Sequence, residues 1–508
     1  MAKQVVPFFP GGFVMGRVGD RFRWVAIRSG LIVSLAATGW RPLVAAELYV
    51  GAASIEITPT QPVALSGQFQ TRIGRKVETP LVACAVALES RDGTKVVDQA
   101  IMISCDLVAI RSGVQARFQQ RLKPRLPDFD IHKAFLNATH THTAPVTVGE
   151  NFTYDIPKEG VMQPEQYVEF LVDQLAEAAA KAWQSRRPGG VSWTLGHAVV
   201  GYNRRAVYAN GGSQMYGRTD TPNFRSLEGY EDHGVEMLFF WDGAKKLKAL
   251  AINLACPAQE VESHSAINAD YWHEVRKRLR QQYGDDLVVL GWISAAGDQS
   301  PHRMWRKKAE ERMRMKRGLS ATEEIGRRIA LAVTDTYDIA KDDIRTDVPL
   351  VHRVEELMLP PRKISEAEYR NAQAGYQKYA GKTNLNALDQ TRRNLEKQTI
   401  ERYEDPQKNG PYAMELHVLR LGEVAIATNP FELFLDYGVQ IKARSEAEQT
   451  FVIQLACDSA RYLPTEKAIR GGSYSTTPFS NLVGPEGGQI LVDRTLAAIH
   501  ALWADAGR

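Results

Sequence analysis

Ala134-Phe135-Leu136-Asn137-Ala138-Thr139-His140-Thr141-His142-Thr143-Ala144-Pro145 is an apolar strand that runs straight into a tight polar loop. Two histidines two apart at a strand end point the same way, because side chains alternate across a strand. Imidazoles placed like this can bind a metal or move protons, and the same pair also suits a structural or surface role. Four further stretches repeat the layout of apolar strand followed by polar turn. Residues 287–293 lead into Ser294-Ala295-Ala296-Gly297-Asp298-Gln299-Ser300-Pro301, which can present Ser300 at a sheet edge or serve as an Asp–Ser turn or helix cap. Residues 249–254 lead into Ala255-Cys256-Pro257-Ala258-Gln259, where Cys256 is a metal thiolate, a nucleophile or a core thiol. Residues 424–428 lead into Asn429-Pro430-Phe431-Glu432, and residues 450–455 into Asp458-Ser459-Ala460-Arg461-Tyr462. Polar groups at the ends of apolar strands occupy the position where α/β folds build their sites.

Outward from these stretches, strand and helix patterns alternate. Strand-like runs cover 81–88, 100–103, 236–241 and 415–421 besides those above, and helix-like runs cover 113–122, 164–183, 268–282, 321–339 and 431–443. Interleaving of this kind predicts an α/β fold: one large domain, residues 47–508, with mixed sheets layered with helices. Residues 303–345 and 362–405 are rich in Arg, Lys, Glu and Gln and read as exposed helices, the second as a helical hairpin inserted in the domain. Cys84, Cys105 and Cys457 sit in apolar runs and read as buried thiols, with a disulfide open as an alternative.

The chain has 508 residues, 44% hydrophobic and 24% charged, which excludes a disordered, collagenous or coiled-coil protein. Six of its 63 basic residues and one of its 59 acidic residues lie in positions 1–46, so the rest is close to neutral and has no global pull on nucleic acid or anionic membrane. The first 46 residues read as an export signal: basic residues up to Arg28, an apolar run over 30–40, then Leu43-Val44-Ala45-Ala46 as a cleavage site. The run is too short to span a bilayer stably. The expectation is an exported protein, periplasmic or extracellular, with no transmembrane anchor once the signal is removed.

Taken together, the motifs resemble those of the neutral/alkaline non-lysosomal ceramidases, a family of zinc amidases. Thr139-His140-Thr141-His142-Thr143-Ala144-Pro145 is similar to that family's THTHSGP, and Gly297-Asp298-Gln299-Ser300-Pro301 to its GDVSP. The segment from Cys256 to Asp270 resembles its HPVSM…NSD, with Asn268 and Asp270 matching; Asn429-Pro430-Phe431-Glu432 resembles PGEF, Ala460-Arg461-Tyr462-Leu463-Pro464-Thr465 resembles THYITT, and Tyr202-Asn203-Arg204 resembles its NRSP segment. The resemblance runs from about residue 48 to the end. It implies a ceramidase-like catalytic domain, with Zn²⁺ held by His140, Cys256, Glu432 and Tyr462, Ser300 as the catalytic serine, and His142 and Arg204 handling the amide. Cys256 stands where the family has histidine, and Gln259 or His264 are alternatives for that place. The family's C-terminal immunoglobulin-like domain has no counterpart in the 46 residues after Tyr462, and the 362–405 segment has none in the family.

The implied chemistry is hydrolysis of an N-acyl bond in a lipid-like or other small-molecule substrate by metal-activated water with Ser300. Two other readings stand beside it: a hydrolase of the same fold acting on an ester, lactone or glycosidic bond, and a non-catalytic exported binding protein on the same scaffold.

Overall fold

Strand Val82–Asp92 shows how the layers arise. Ala83, Ala85 and Ala87 enter one apolar layer, and Cys84, Val86 and Leu88 enter another, so both faces of the strand are buried. The computed structural model describes residues 46–111, 113–147 and 154–504. Residues 1–45 of the expected export signal lie outside them. The described residues form one compact unit.

The larger sheet has eight strands in the order Val288–Ile293, Leu247–Leu254, Gly234–Asp242, Arg187–His197, Glu47–Glu56, Val82–Asp92, Lys95–Cys105, Ala134–Ala138. Its two outermost pairs are parallel and the others antiparallel, so it is mixed, as the sequence led one to expect. A second sheet of four strands, Leu350–Leu359, Tyr412–Leu421, Val424–Thr428 and Gln449–Ile453, packs face to face on the first. Trp292 of the large sheet meets Phe451 of the small one edge to face, with ring centroids 5.8 Å apart.

Helices close the two outer faces. Pro164–Gln184 buries Val168, Leu171 and Leu175 against the alanine face of Val82–Asp92. Tyr271–Tyr283 and Ala321–Asp342 cover Met237, Phe239 and Ile252, while Leu435–Arg444 and Pro485–Ala504 cover Leu416, Val418 and Val452 on the small sheet. The order of layers is helix, sheet, sheet, helix. Each buried Leu, Ile, Val or Phe side chain contributes about 1.5–3 kcal/mol, against about 0–1 for an exposed ion pair, so the layers are held by their apolar faces. The four cysteines are free and buried, and no disulfide forms among them. Among the described residues no helix is long and apolar enough to cross a membrane.

Residues 362–405 contain the helices Glu366–Gln377 and Ala387–Glu404. Tyr369, near the start of the first, stacks on Tyr403, near the end of the second, with centroids 4.2 Å apart, so the pair is an antiparallel hairpin. The second helix is not exposed all round. It buries Thr391, Leu395, Thr399 and Arg402 along one face. Arg402 donates to the carbonyls of Pro478 (2.7 Å) and Asn481 (3.0 Å), which docks the hairpin on the segment beside the site.

Candidate active site

All five polar turns come together, through their own backbone. Ala138 N–H donates to Leu455 O, Cys457 N–H to Leu136 O, Ala258 N–H to Thr139 O, Ser294 N–H to Leu254 O, Gln454 N–H to Ile293 O and Asn429 N–H to Ile453 O, at distances from 2.9 to 3.2 Å. Four non-glycine residues of these turns, His140, Leu455, Cys457 and Arg461, have φ between 55° and 65°. Left-handed backbone of this sort costs of order 1–3 kcal/mol per residue and persists where surrounding structure enforces it.

The histidine loop is braced from both sides. Thr141 and Thr143 hydroxyls donate to Asn268 O at 2.7 and 2.6 Å. Asp270 caps the helix that follows and accepts from Val261 N–H. Asn268 thus holds the histidine loop, and Asp270 holds the segment that carries Asn268. Gly67 (φ 95°) lies against the His142 ring, where an added Cβ would come within 2.4 Å of the imidazole. Gly297 passes so close to Glu432 that a Cβ would meet its carbonyl oxygen at 2.3 Å.

At the centre, His140 Nδ1 donates to Val108 O at 2.6 Å. Nε2, which carries the lone pair when the ring is neutral, faces a Glu432 carboxylate oxygen at 3.5 Å. Burial pushes the Glu432 carboxyl up, but His140 and Arg204 more than offset this and hold it below the ordinary carboxylate range. Burial, with the nearby Glu432, raises the Tyr462 phenol well above its usual value, so it is neutral. His142 turns Nε2 toward His140 Nε2 at 3.3 Å and accepts there from Gln259 Nε2 at 2.8 Å. Its burial, added to His140, Arg72 and Arg204, keeps it neutral.

Arg204 ties the cluster together from a fully buried position. It donates to Tyr216 Oη (2.9 Å), Gln259 Oε1 (3.2 Å), Gly297 O (2.8 Å) and Tyr462 Oη (3.4 Å), and stands 3.8 Å from Glu432 Oε2. Burial opposes its charge, but Tyr216, Tyr462 and Glu432 outweigh burial and hold the guanidinium protonated. Ser300 connects through Tyr216, whose hydroxyl donates to Ser300 Oγ at 3.2 Å; His302 N–H donates to the same oxygen at 3.1 Å.

Cys256 is not brought to this group. Its sulfur donates to Val200 O at 3.4 Å and packs in the apolar layer behind the site, and burial pushes its thiol well up. The ligand atoms of His140, Cys256 and Glu432 do not gather within 4.8 Å of one another. The expected thiolate ligand is therefore corrected: the Cys-Pro turn aims the side chain at the backbone of the loop after Arg187–His197, and Gln259, three residues on, reaches inward instead. Tyr216, in the cluster with φ 54°, went unread in the sequence because it lies in a loop with no motif and reaches the site only through tertiary packing.

His140, His142, Glu432 and Tyr462 line a cavity of about 90 Å³ that also has Arg111 and Arg461 in its wall. Leu395 of the docked hairpin, with Tyr474 and Phe479, lies between it and a second cavity of about 420 Å³ lined by Phe69, Tyr379 and Leu388. The second cavity mixes these aromatic and aliphatic side chains with Gln68, Gln70, Arg392 and Glu396.

No family model and no curated protein matches the sequence. Solved structures do match. A ceramidase complexed with C2 superposes with a TM-score of 0.64 at 15% identity, over 90% of this chain and 76% of its own. The neutral ceramidase from Pseudomonas aeruginosa gives a TM-score of 0.62 at 15% identity, over 90% and 75%. The chain has the fold of the neutral ceramidases.

Proposed function

We propose that the protein is a zinc-dependent hydrolase that cleaves the N-acyl bond of a lipid-like substrate. The observation that carries this reading is the arrangement of His140 Nε2, the Glu432 carboxylate and the Tyr462 phenol around one point, braced by a buried Arg204. Two acceptors 3.5 Å apart, an imidazole lone pair and an ionised carboxylate, repel unless a cation or a proton lies between them, so the donor set fits a divalent ion. His140, Glu432 and Tyr462 would hold it, without Cys256. When bound, Zn²⁺ brings the pKa of a water down to about 7 and polarises a carbonyl.

The chain's own residues supply the rest. Neutral His142 keeps an acceptor nitrogen toward the site and can take up a proton. Arg204, held beside Glu432 and Tyr462, would stabilise negative charge developing on an acyl oxygen, and a preorganised donor of this kind is typically worth about 3 kcal/mol. Tyr216 joins that guanidinium to Ser300, so the serine hydroxyl is held in one hydrogen-bonded chain with Arg204, from which it would assist the attack. The aromatic and aliphatic part of the second cavity, Phe69, Leu388, Leu395 and Phe479, suits an acyl or other hydrocarbon chain.

Purified protein assayed on N-acyl, ester and glycosyl chromogenic substrates tests the reading. N-acyl turnover should dominate, and Ser300→Ala should lower it by orders of magnitude with little change in melting temperature. Cleavage of esters or glycosides alone would move the assignment to another bond, and inactivity on all three with zinc bound would leave a binding protein. Export is part of the same proposal, supported by the composition of residues 1–46. A mature N-terminus near residue 47 in envelope or culture fractions is the expected outcome, and an intact chain confined to the cytoplasm would reject it.

A further inference from the structure

A second cluster of metal-binding side chains lies on the other side of the loop that carries Tyr462. Glu415, His417 and Cys457 place a carboxylate oxygen, a ring nitrogen and a thiol sulfur all within 4.8 Å of one another. Glu415 and His417 come from the strand Tyr412–Leu421, and Cys457 from the turn after Gln449–Ile453.

The contacts around His417 assign its ring protons. His352 Nδ1 lies 3.3 Å from the Gln99 carbonyl, which can only accept, so that nitrogen carries hydrogen. His352 Nε2 is then an acceptor and takes its proton from His417 Nδ1 at 2.9 Å. His417 Nε2 lies 2.6 Å from Glu415 Oε1, a hydrogen-bond distance, so the hydrogen between them is the one a cation would displace. Gln115 Nε2 donates to the same carboxylate at 3.3 Å and steadies it. An imidazole relayed through a second histidine to a backbone carbonyl is the pattern that orients metal ligands. Without a bound cation, a proton must lie between His417 and Glu415.

From this geometry we propose that Glu415, His417 and Cys457 form a second, structural zinc site. One nitrogen, one carboxylate oxygen and one thiolate are a zinc set, and the soft sulfur disfavours Mg²⁺ and Ca²⁺. A surface cleft of about 490 Å³ lined by Gln115, Glu415, Cys457 and Asp458 gives the ion and a completing water a path. Binding releases the Cys457 thiol proton and the proton shared by His417 and Glu415 to solvent. The site would clamp the turn that holds three left-handed residues, Leu455, Cys457 and Arg461, to the strand Tyr412–Leu421. It does not depend on the hydrolase reading.

Cobalt substitution tests it. Protein stripped with a chelator and reloaded with Co²⁺ should show thiolate-to-cobalt charge-transfer absorption. The absorption should vanish in Cys457→Ser and persist in both His140→Ala and Cys256→Ser, while zinc content in Cys457→Ser and His417→Gln falls by one equivalent. Absence of the absorption in the unsubstituted protein, or its survival in Cys457→Ser, would overturn the proposal. Should the Cys457 and His417 variants fail to fold, X-ray absorption at the zinc edge of the unsubstituted protein decides: a sulfur neighbour at about 2.3 Å supports the site and its absence sinks it. Loss of N-acyl turnover in His140→Ala with the cobalt absorption intact would separate this site from the catalytic one.

Discussion

Arg204 is the residue on which the hydrolase reading leans hardest, and its chemistry is specific to guanidinium. One flat group spans Tyr216, Gln259, Gly297 and Tyr462 at once. Lysine keeps the charge but offers a single point, so Arg204→Lys should lower turnover on an N-acyl substrate by about 10²–10³, the loss typical of one preorganised donor. Unchanged turnover would remove Arg204 from the chemistry. Near the site, Glu260 makes a different kind of prediction. Burial, with Asp270 nearby, pushes its carboxyl up to about 8, and its Oε2 has no hydrogen-bond partner. The native protein therefore holds a proton that the unfolded chain gives up above about 4.5, the ordinary value for Glu. Stability from this group is complete below that value and is lost as pH rises toward 8. Glu260→Gln should raise the melting temperature at pH 8, and the gain should disappear below pH 4.5. Thermal melts at the two pH values check it, and equal gains at both would contradict it.

Among the elements, those with apolar runs were legible before any coordinates, because a strand buried on both faces reads as a continuous apolar stretch. The strand Glu47–Glu56 was not, since Gly, Ser and Ala interrupt its run, although it sits mid-sheet between Val82–Asp92 and Arg187–His197. The hairpin was legible as helix but not as a wall of the site. Its buried stripe of Thr391, Leu395, Thr399 and Arg402 has helical spacing, yet only Leu395 is strongly apolar, so the charged surroundings hid it. That docking has a consequence for substrate. Leu395 lines both cavities, so Leu395→Trp should reduce the space beside it in each and raise KM for long-chain N-acyl substrates at least tenfold, while short-chain turnover and the melting temperature change little. A chain-length series on both proteins would show it. An equal effect on all chain lengths would place the acyl chain elsewhere.

At the scale of the whole molecule, the sequence carried the positions of the site residues better than their directions. Strand ends near 137, 254, 293, 428 and 453 converge because the two sheets pack face to face and their polar turns exchange backbone hydrogen bonds. Which way Cys256 points was beyond the sequence, because a thiol suits an apolar layer and a metal equally well. The same convergence couples the metal to global stability. His140 and Glu432 arrive from different sheets, and Tyr462 follows the last strand of the second. An ion held by all three binds the folded chain far better than the unfolded one, where these ligands are scattered over more than three hundred residues. Zinc at a hundredfold its Kd should then add about 2.7 kcal/mol, and the melting temperature of stripped protein should climb with the logarithm of zinc concentration. His140→Ala should remove the part of that climb that belongs to the catalytic centre. If stripped protein melts at the same temperature with and without zinc, these side chains do not hold an ion, and the acceptor atoms of His140 and Glu432 must share a proton instead.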